Sequence, residues 1–321
     1  MRPTADTGAT DVADIRIVAV AGGGLMGCGI AQVFAACGDL EVRIFDAFVS
    51  GPQMLDRVRS SLSLFVEKGV YPQAEADAIV SRIHPTADLS AAVGDADLVV
   101  ECIPENLQLK QDFFRDLEPL VRPDAILATN TSVMSITAIA EKTVKKDRLV
   151  GTHFWNPPTL IPLVEVVKAE GTSDATMDAT LAVLAKAGKR PIRVNKDVPG
   201  FVANRLQHAL WREAVSIVEN GIADAATVDE AVRSSFGLRL PVLGPMENID
   251  MVGADLALSI HDYLFPYLED AKKASPALRE KVAAGDLGFK SGKGFQTWTD
   301  EQKDASRRKL NAHLIQMLYG K

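Results

Sequence analysis

The chain is poor in cysteine, in aromatic side chains and in positive charge, and each shortage argues against a class of function. Its three cysteines, Cys28, Cys37 and Cys102, are odd in number and scattered over predicted helix and strand. Reduced thiols in a cytoplasmic protein fit that pattern better than a disulfide framework or a metal site. Lys and Arg total 35 against 42 Asp and Glu, a net charge of −7. That balance leaves no basic face for nucleic acid or an anionic membrane, and a small-molecule substrate is the expected partner. No apolar run approaches the roughly 20 residues of a membrane span. Residues 1–14 are polar and rich in small side chains, without the apolar core of a signal peptide, and read as a disordered leader. What the chain does have is length and apolar content: 321 residues, 47% of them hydrophobic, enough for two domains with cores of their own.

The most informative segment is Gly22-Gly23-Gly24-Leu25-Met26-Gly27-Cys28-Gly29, directly after the apolar run Ile15 to Ala21. Gly22, Gly24 and Gly27 have the spacing of a dinucleotide fingerprint: one allows a tight turn, one lets backbone approach a pyrophosphate, and one packs helix against strand. Leu25 and Met26 open the following helix, so their backbone belongs to the same candidate cofactor site. Ile30, Val33, Phe34 and Cys37 continue an apolar stripe at helical spacing, and the N–H groups starting that helix suit a bound anion. Asp46 closes the next apolar run, Val42 to Phe45. A carboxylate there accepts hydrogen bonds from the adenosine ribose and repels a 2′-phosphate, which argues for NAD over NADP. Two other readings share the pattern, a flavin as ligand or a purely structural strand-to-helix turn.

Beyond Asp46 the spacing turns helical over 54–68 and 74–83, with Gly69 and Pro72 at the join. Strands are expected at 98–103 and 125–129, with helices at 107–121 and 136–141 between and after them. This alternation predicts an α/β fold, a doubly wound Rossmann sheet covered by helices. Two short strands follow, 149–154 and 163–167, joined by a loop carrying Asn156-Pro157-Pro158; a helix at 177–187 and a strand at 192–194 complete the domain over residues 15–197. Pro199-Gly200 breaks the pattern. Residues 198–321 read as a mostly helical C-terminal domain, with helices over 201–220, 226–236, 251–268, 276–284 and 301–319.

The candidate chemistry lies where the strands end. His153 sits in Gly151-Thr152-His153-Phe154-Trp155-Asn156-Pro157, and Glu165 lies on the next strand. Side by side, an imidazole takes a hydroxyl proton while the carboxylate fixes its tautomer; alone, such a histidine is equally well structural. Asn130-Thr131-Ser132 follows a strand at the carboxyl edge, where open α/β sheets bind ligands. Ser132 there either donates to a substrate oxygen or caps the next helix. Glu105-Asn106 with Lys110 one turn on is either ribose-facing or an ordinary capped helix start. Asn204 opens the second domain, where its amide can polarise a carbonyl.

Taken in order, Gly22 to Gly29, Glu105-Asn106, Asn130-Thr131-Ser132, His153 with Asn156-Pro157, Glu165, Pro199-Gly200-Phe201 with Asn204-Arg205, and Gly244-Pro245 resemble the L-3-hydroxyacyl-CoA dehydrogenase family. The resemblance covers nearly everything after the leader. It implies an NAD domain followed by a helical domain that forms a homodimer. By residue match it makes His153 the general base, Glu165 its orienting partner, and Ser132 and Asn204 the holders of the substrate's 3-oxygen. Asp46 would bind the adenosine ribose. Glu105 and Lys110 would lie near the nicotinamide half, with Asn130 also on the cofactor side.

Ser61 and Lys68 match positions that contact coenzyme A in acyl-CoA members, and Asn156 is a further candidate substrate contact. A lysine near a helix end is also commonly just solvated. The segment Gly237-Leu238-Arg239-Leu240-Pro241-Val242-Leu243 departs from the usual shorter approach to Gly244-Pro245, and Arg239 there suits a carboxylate. Trp155-Asn156-Pro157-Pro158, Ile161-Pro162-Leu163 and a C-terminal helix extending past Phe295 are similar to relatives that oxidise carnitine, gulonate or a hydroxylated pyridine carboxylate without coenzyme A. Three expectations follow: a short-chain 3-hydroxyacyl-CoA dehydrogenase, a dehydrogenase of a small free hydroxy acid or alcohol, or a non-catalytic NAD-binding protein of the lens-crystallin kind. The presence of His153, Glu165, Ser132 and Asn204 weighs against the last.

Overall fold

The computed structural model describes residues 15–320, so the leader expected over residues 1–14 lies outside the described residues. The first part of the chain runs β1 (Ile17–Ala21), α1 (Leu25–Ala35), β2 (Glu41–Phe45), α2 (Gly51–Glu67), α3 (Gln73–Ser81), β3 (Ile83–Thr86), α4 (Leu89–Val93), β4 (Leu98–Glu101), α5 (Leu107–Leu117), β5 (Ile126–Thr129), α6 (Ile136–Ile139), β6 (Leu149–Phe154), β7 (Leu163–Val167), α7 (Asp174–Lys186) and β8 (Arg190–Val194). The strands form one sheet in the order β3-β2-β1-β4-β5-β6-β7-β8, parallel except where β6 meets β7. The first six strands have the order of the doubly wound dinucleotide fold, as expected.

Alternation along the strands builds a core on each face. Val18 and Val20 join Ile30 and Phe34 of α1 and Met54, Val58 and Leu62 of α2 in one cluster. Ala19 and Val99 point the other way, toward Phe114 and Leu117 of α5 and Ile139 of α6. In this part of the chain two elements are not predicted by the sequence pattern. β3 carries Pro85, a residue that weakens any strand signal, and it is tolerated because β3 is an edge. The five-residue α4 is too short to show periodicity, and it is set by Asp88, whose side chain accepts from the backbone of Ser90 and Ala91.

Helices dominate the rest: α8 (Ala203–Glu219), α9 (Ala225–Arg233), α10 (Pro245–Val252), α11 (Ala254–Leu264), α12 (Pro276–Ala283) and α13 (Asp300–Tyr319). The helix expected over 251–268 is α11, shorter than expected, and α10 before it is a further element that the sequence pattern does not predict. Pro245 occupies a first-turn position and starts α10, and Gly253, at φ +100°, breaks the chain before α11. By compactness the first unit extends to Asn204 and takes in the chain again from Asn311, leaving Arg205–Leu310 as the second. The sequence pattern predicts the boundary near Val198, with the last residues in the helical domain. Those residues rejoin the first unit because Ile315, fully buried, packs with Phe65 of α2 and Leu160. Among the described residues no helix is long and apolar enough to cross a membrane.

Candidate active site

The glycine turn between β1 and α1 divides into two kinds of glycine. Gly22 has φ +122°, and a Cβ there would stand 2.6 Å from the Cys102 carbonyl oxygen; one on Gly27 would stand 1.7 Å from the Gly22 carbonyl. Both are required by the turn itself. Gly24, the residue that caps α1, is different: a Cβ there would meet nothing within 4 Å. The space over the helix N-terminus is therefore open, as a bound pyrophosphate requires. Leu25 is largely exposed beside it, whereas Met26 packs against the core.

Asp46 faces this turn from the end of β2. Its carboxylate accepts Gly23 N at 2.7 Å, Phe48 N at 2.8 Å and Val49 N at 2.9 Å. Partial burial pushes its carboxyl up, but these three backbone donors and the Arg57 charge outweigh that and hold it below the ordinary carboxylate range. Arg57, on α2, donates to the Gly23 carbonyl and so ties the helical excursion to the cofactor turn. Sequence reading passed over Arg57; its position on the helix following the ribose carboxylate is the signal that marks it.

Glu105 and Lys110 are placed less as expected. Lys110 is buried, and its ammonium donates to Glu101 Oε1 at 2.6 Å and to the Ile103 carbonyl at 3.2 Å. Glu105 Oε2 stands 3.5 Å away. Glu101, missed from sequence, also accepts from Thr129 Oγ1 at 2.6 Å; burial pushes its carboxyl up and the Lys110 charge works against that. Glu105 turns toward the next loop, where Oε1 accepts Ser132 N at 2.6 Å and the Thr131 hydroxyl at 3.0 Å. Lys110 thus meets carboxylates of its own chain and through Glu105 steadies the Ser132 loop.

The predicted catalytic residues converge. β6 and β7 pair antiparallel with His153 opposite Glu165, and His153 Nδ1 lies 2.8 Å from Glu165 Oε2. With the proton on Nδ1, Nε2 is free to accept one. The other carboxylate oxygen accepts Val202 N at 2.9 Å and Ala203 N at 3.0 Å. Glu165 therefore fixes both the imidazole and the start of α8, where Phe201 holds φ 50°, a conformation a non-glycine residue adopts only under constraint. Asn204 in the first turn of α8 donates to the Ser132 carbonyl at 2.9 Å. Asn130 Oδ1 accepts Phe154 N at 2.9 Å, which joins the ends of β5 and β6. Trp155, noted from sequence only within the motif shared with relatives that act without coenzyme A, donates to Glu165 Oε2 at 3.3 Å.

Two family models match, "3-hydroxyacyl-CoA dehydrogenase, NAD binding domain" over residues 17–198 and the C-terminal domain of the same enzymes over residues 200–298. The chain belongs to the 3-hydroxyacyl-CoA dehydrogenase family. Its cofactor is NAD, in keeping with the open space over Gly24 and the carboxylate of Asp46. A 3-hydroxybutyryl-CoA dehydrogenase of Clostridioides difficile is 37% identical over 282 residues, 87% of this chain and 98% of that one. The 5-formyl-3-hydroxy-2-methylpyridine 4-carboxylate 5-dehydrogenase of Mesorhizobium japonicum is 38% identical over 304 residues, 94% of this chain and 96% of that one. Among solved structures, a dehydrogenase of that pyridine carboxylic acid superposes with TM-score 0.86 at 36% identity, covering 96% of this chain and 99% of its own. The (S)-3-hydroxybutyryl-CoA dehydrogenase of Ralstonia eutropha gives 0.75 at 34% identity, covering 89% and 100%.

The expected substrate contacts Ser61, Lys68, Asn156 and Arg239 come from separate parts of the chain. Ser61 is half-buried and Lys68 exposed on or next to α2, with the Lys68 ammonium 3.1 Å from Glu67. Ser61, Phe65 and Lys68 follow one another at i, i+4 and i+7, one face of a helix. Phe65, between the other two, is covered by Leu160 and Ile315. Asn156 is exposed in the loop after β6, and Arg239 is exposed in the second unit, just after the short turn Phe236–Leu238.

Proposed function

We propose that this chain oxidises a short-chain 3-hydroxyacyl-CoA to the 3-oxoacyl-CoA with NAD, in the cytoplasm and as a homodimer formed through its helical domain. The observation that carries the reading is the 2.8 Å contact of His153 with the buried Glu165, beside Ser132 and Asn204 held together at 2.9 Å. With Nδ1 committed to Glu165, His153 Nε2 accepts the 3-hydroxyl proton, and Glu165 stabilises the imidazolium that results. The Ser132 hydroxyl and the Asn204 amide hold the 3-oxygen, and Asn156 flanks it. NAD, when bound, supplies the acceptor for the hydrogen leaving C3. Asp46 binds the adenosine ribose, Gly22 to Gly27 receive the pyrophosphate, and Glu105 with Asn130 borders the nicotinamide side. Ser61 and Lys68 meet coenzyme A.

Dimerisation is supported by the second unit's own surface. None of its described residues, 205–310, is fully buried, and Leu206, Trp211, Met246, Met251 and Leu258 are all more than half exposed. Helices with apolar faces in this state need a partner to cover them.

A second reading, a small free carboxylate as substrate, has an observation of its own. The end of α13 covers Phe65, the centre of the stripe that carries Ser61 and Lys68, and so narrows the approach for coenzyme A. Arg239 would then pair with the carboxylate. Initial rates with acetoacetyl-CoA against free hydroxy acids and 5-formyl-3-hydroxy-2-methylpyridine 4-carboxylate decide between them: higher kcat/KM on the CoA ester is expected, and silence on it with turnover of a free acid overturns the first reading. His153→Ala is expected to lower kcat by on the order of 10²- to 10⁴-fold with NAD affinity nearly intact. Unchanged turnover would remove His153 from the mechanism.

A further inference from the structure

The carboxylate behind the base is crowded. Glu165 is fully buried and takes four hydrogen bonds: Val202 N and Ala203 N on Oε1, His153 Nδ1 and Trp155 Nε1 on Oε2. An ionised carboxylate offers about four acceptor positions, so every one of them is in use. The two donors on Oε1 are backbone. On Oε2, the oxygen that faces the imidazole, Trp155 is the one competitor with His153 among the described residues. Its ring also lies 5.4 Å from the imidazole, tilted at 50°.

A carboxylate stabilises an imidazolium through the negative charge on the oxygen it presents. A second donor on that oxygen draws off part of the charge and holds the carboxylate in one rotamer. We propose that Trp155 is a positioning residue that limits the charge Glu165 presents to His153, and so sets the pH range over which the histidine accepts and returns a proton. The proposal rests on His153 being the base. The net state of Glu165 agrees with it: burial drives its carboxyl upward, yet donation from His153, Ala203, Val202 and Trp155 holds it below the ordinary range. Around the imidazole, Glu165 of β7 is the charged group hydrogen-bonded to it, and the Phe201 ring, 5.7 Å away, is apolar. In the loop after β4, Glu105 spends its charge on Ser132 N and stands 3.5 Å from Lys110.

Trp155→Phe keeps a ring and removes only the N–H. In the oxidation direction, activity rises as the base loses its proton. With more charge left on Oε2 the imidazolium is favoured, and the acid limb of the kcat/KM profile should move to higher pH by about half a unit to one unit. The alkaline limb of the reduction profile should move the same way. A fluorinated tryptophan at position 155, with a more acidic N–H, should move both limbs to lower pH, and it keeps the proposal testable if the phenylalanine variant folds poorly. A purely structural Trp155 lowers the plateau and leaves the limbs in place. Limbs that stay fixed, or move in the opposite sense, overturn the proposal whatever the plateau does. His153→Asn in the same series separates the two claims: if it retains turnover the base assignment fails, and if it is inactive while the limbs stay fixed only the role of Trp155 fails.

Discussion

Asp46 is the side chain proposed to read the ribose and so to decide cofactor choice. Its carboxylate engages three backbone N–H groups and sits near the Arg57 guanidinium, which is anchored on the Gly23 carbonyl. Asp46→Ala removes the ribose acceptor and leaves the Arg57 charge uncompensated, a setting that tolerates a 2′-phosphate. A charged hydrogen bond is worth about 1.5–3 kcal/mol, so KM for NAD should rise roughly 10- to 100-fold while the preference over NADP narrows. Steady-state kinetics with both cofactors check this, and unaltered selectivity would mean that Asp46 does not read the ribose. Asp46 was legible because it ends an apolar run at a fixed distance from the glycines. Lys110 has a further role that its position on α5 signals. It lies on the stripe it shares with Phe114 and Leu117, at i+4 and i+7, all buried. A lysine on an apolar stripe signals a buried partner, and Glu101, closing the apolar run 98–100, is that partner.

Elements were legible where pattern and punctuation agreed. β1 with its glycine turn, β6 opposite β7, and α12 starting at Pro276 stand where periodicity placed them. The β6–β7 pairing mattered most, because it converts two residues twelve apart into a contact. What stayed hidden depends on tertiary contact: β3 at the edge, and the return of α13 onto α2. In that return Ile315 is fully buried with Phe65 and Leu160, and the Tyr319 ring meets Phe65 edge-on at 5.9 Å. Periodicity gives a helix there; it does not say what the helix covers. Ending the chain after Asn311 should uncover the Ser61–Phe65–Lys68 face. Losing one buried isoleucine costs about 2 kcal/mol or more, a drop in Tm of several degrees. KM for a CoA ester should fall by roughly 3- to 10-fold, about the effect of 1 kcal/mol of relieved obstruction. A fall in Tm with an unchanged KM would show that this contact stabilises the first unit without shaping access for coenzyme A. Ile315→Ser, a smaller lesion, should move both quantities in the same directions.

At the scale of the whole molecule, the two units differ in how their apolar residues are satisfied. The first buries Val18, Phe34, Ile44, Phe114 and Leu127 on both faces of its sheet. The second leaves a groove of about 1770 Å³ lined by His208, Trp211, Val215, Leu278, Phe295 and Trp298 among others. Burial contributes about 25 cal/mol per Å² of apolar surface, and a helical unit that fully buries none of its described residues forgoes most of that while it stands alone. Its helices carry the amphipathic pattern of a folded domain, and the second copy proposed above would cover them with a surface of the same composition. Trp211 is half exposed on that groove with its ring edge-on to His208 at 4.9 Å. An aromatic in such a place is the usual anchor of an interface, and truncating one costs about 2 kcal/mol or more. Trp211→Glu should therefore weaken the dimer by more than about 30-fold. Sedimentation across a dilution series should then show monomer at concentrations where the parent remains dimeric, with a concentration-dependent Tm in the parent that the variant loses. A parent that sediments as a monomer throughout would overturn the dimer, whereas a variant dimer as tight as the parent would move the interface off this groove.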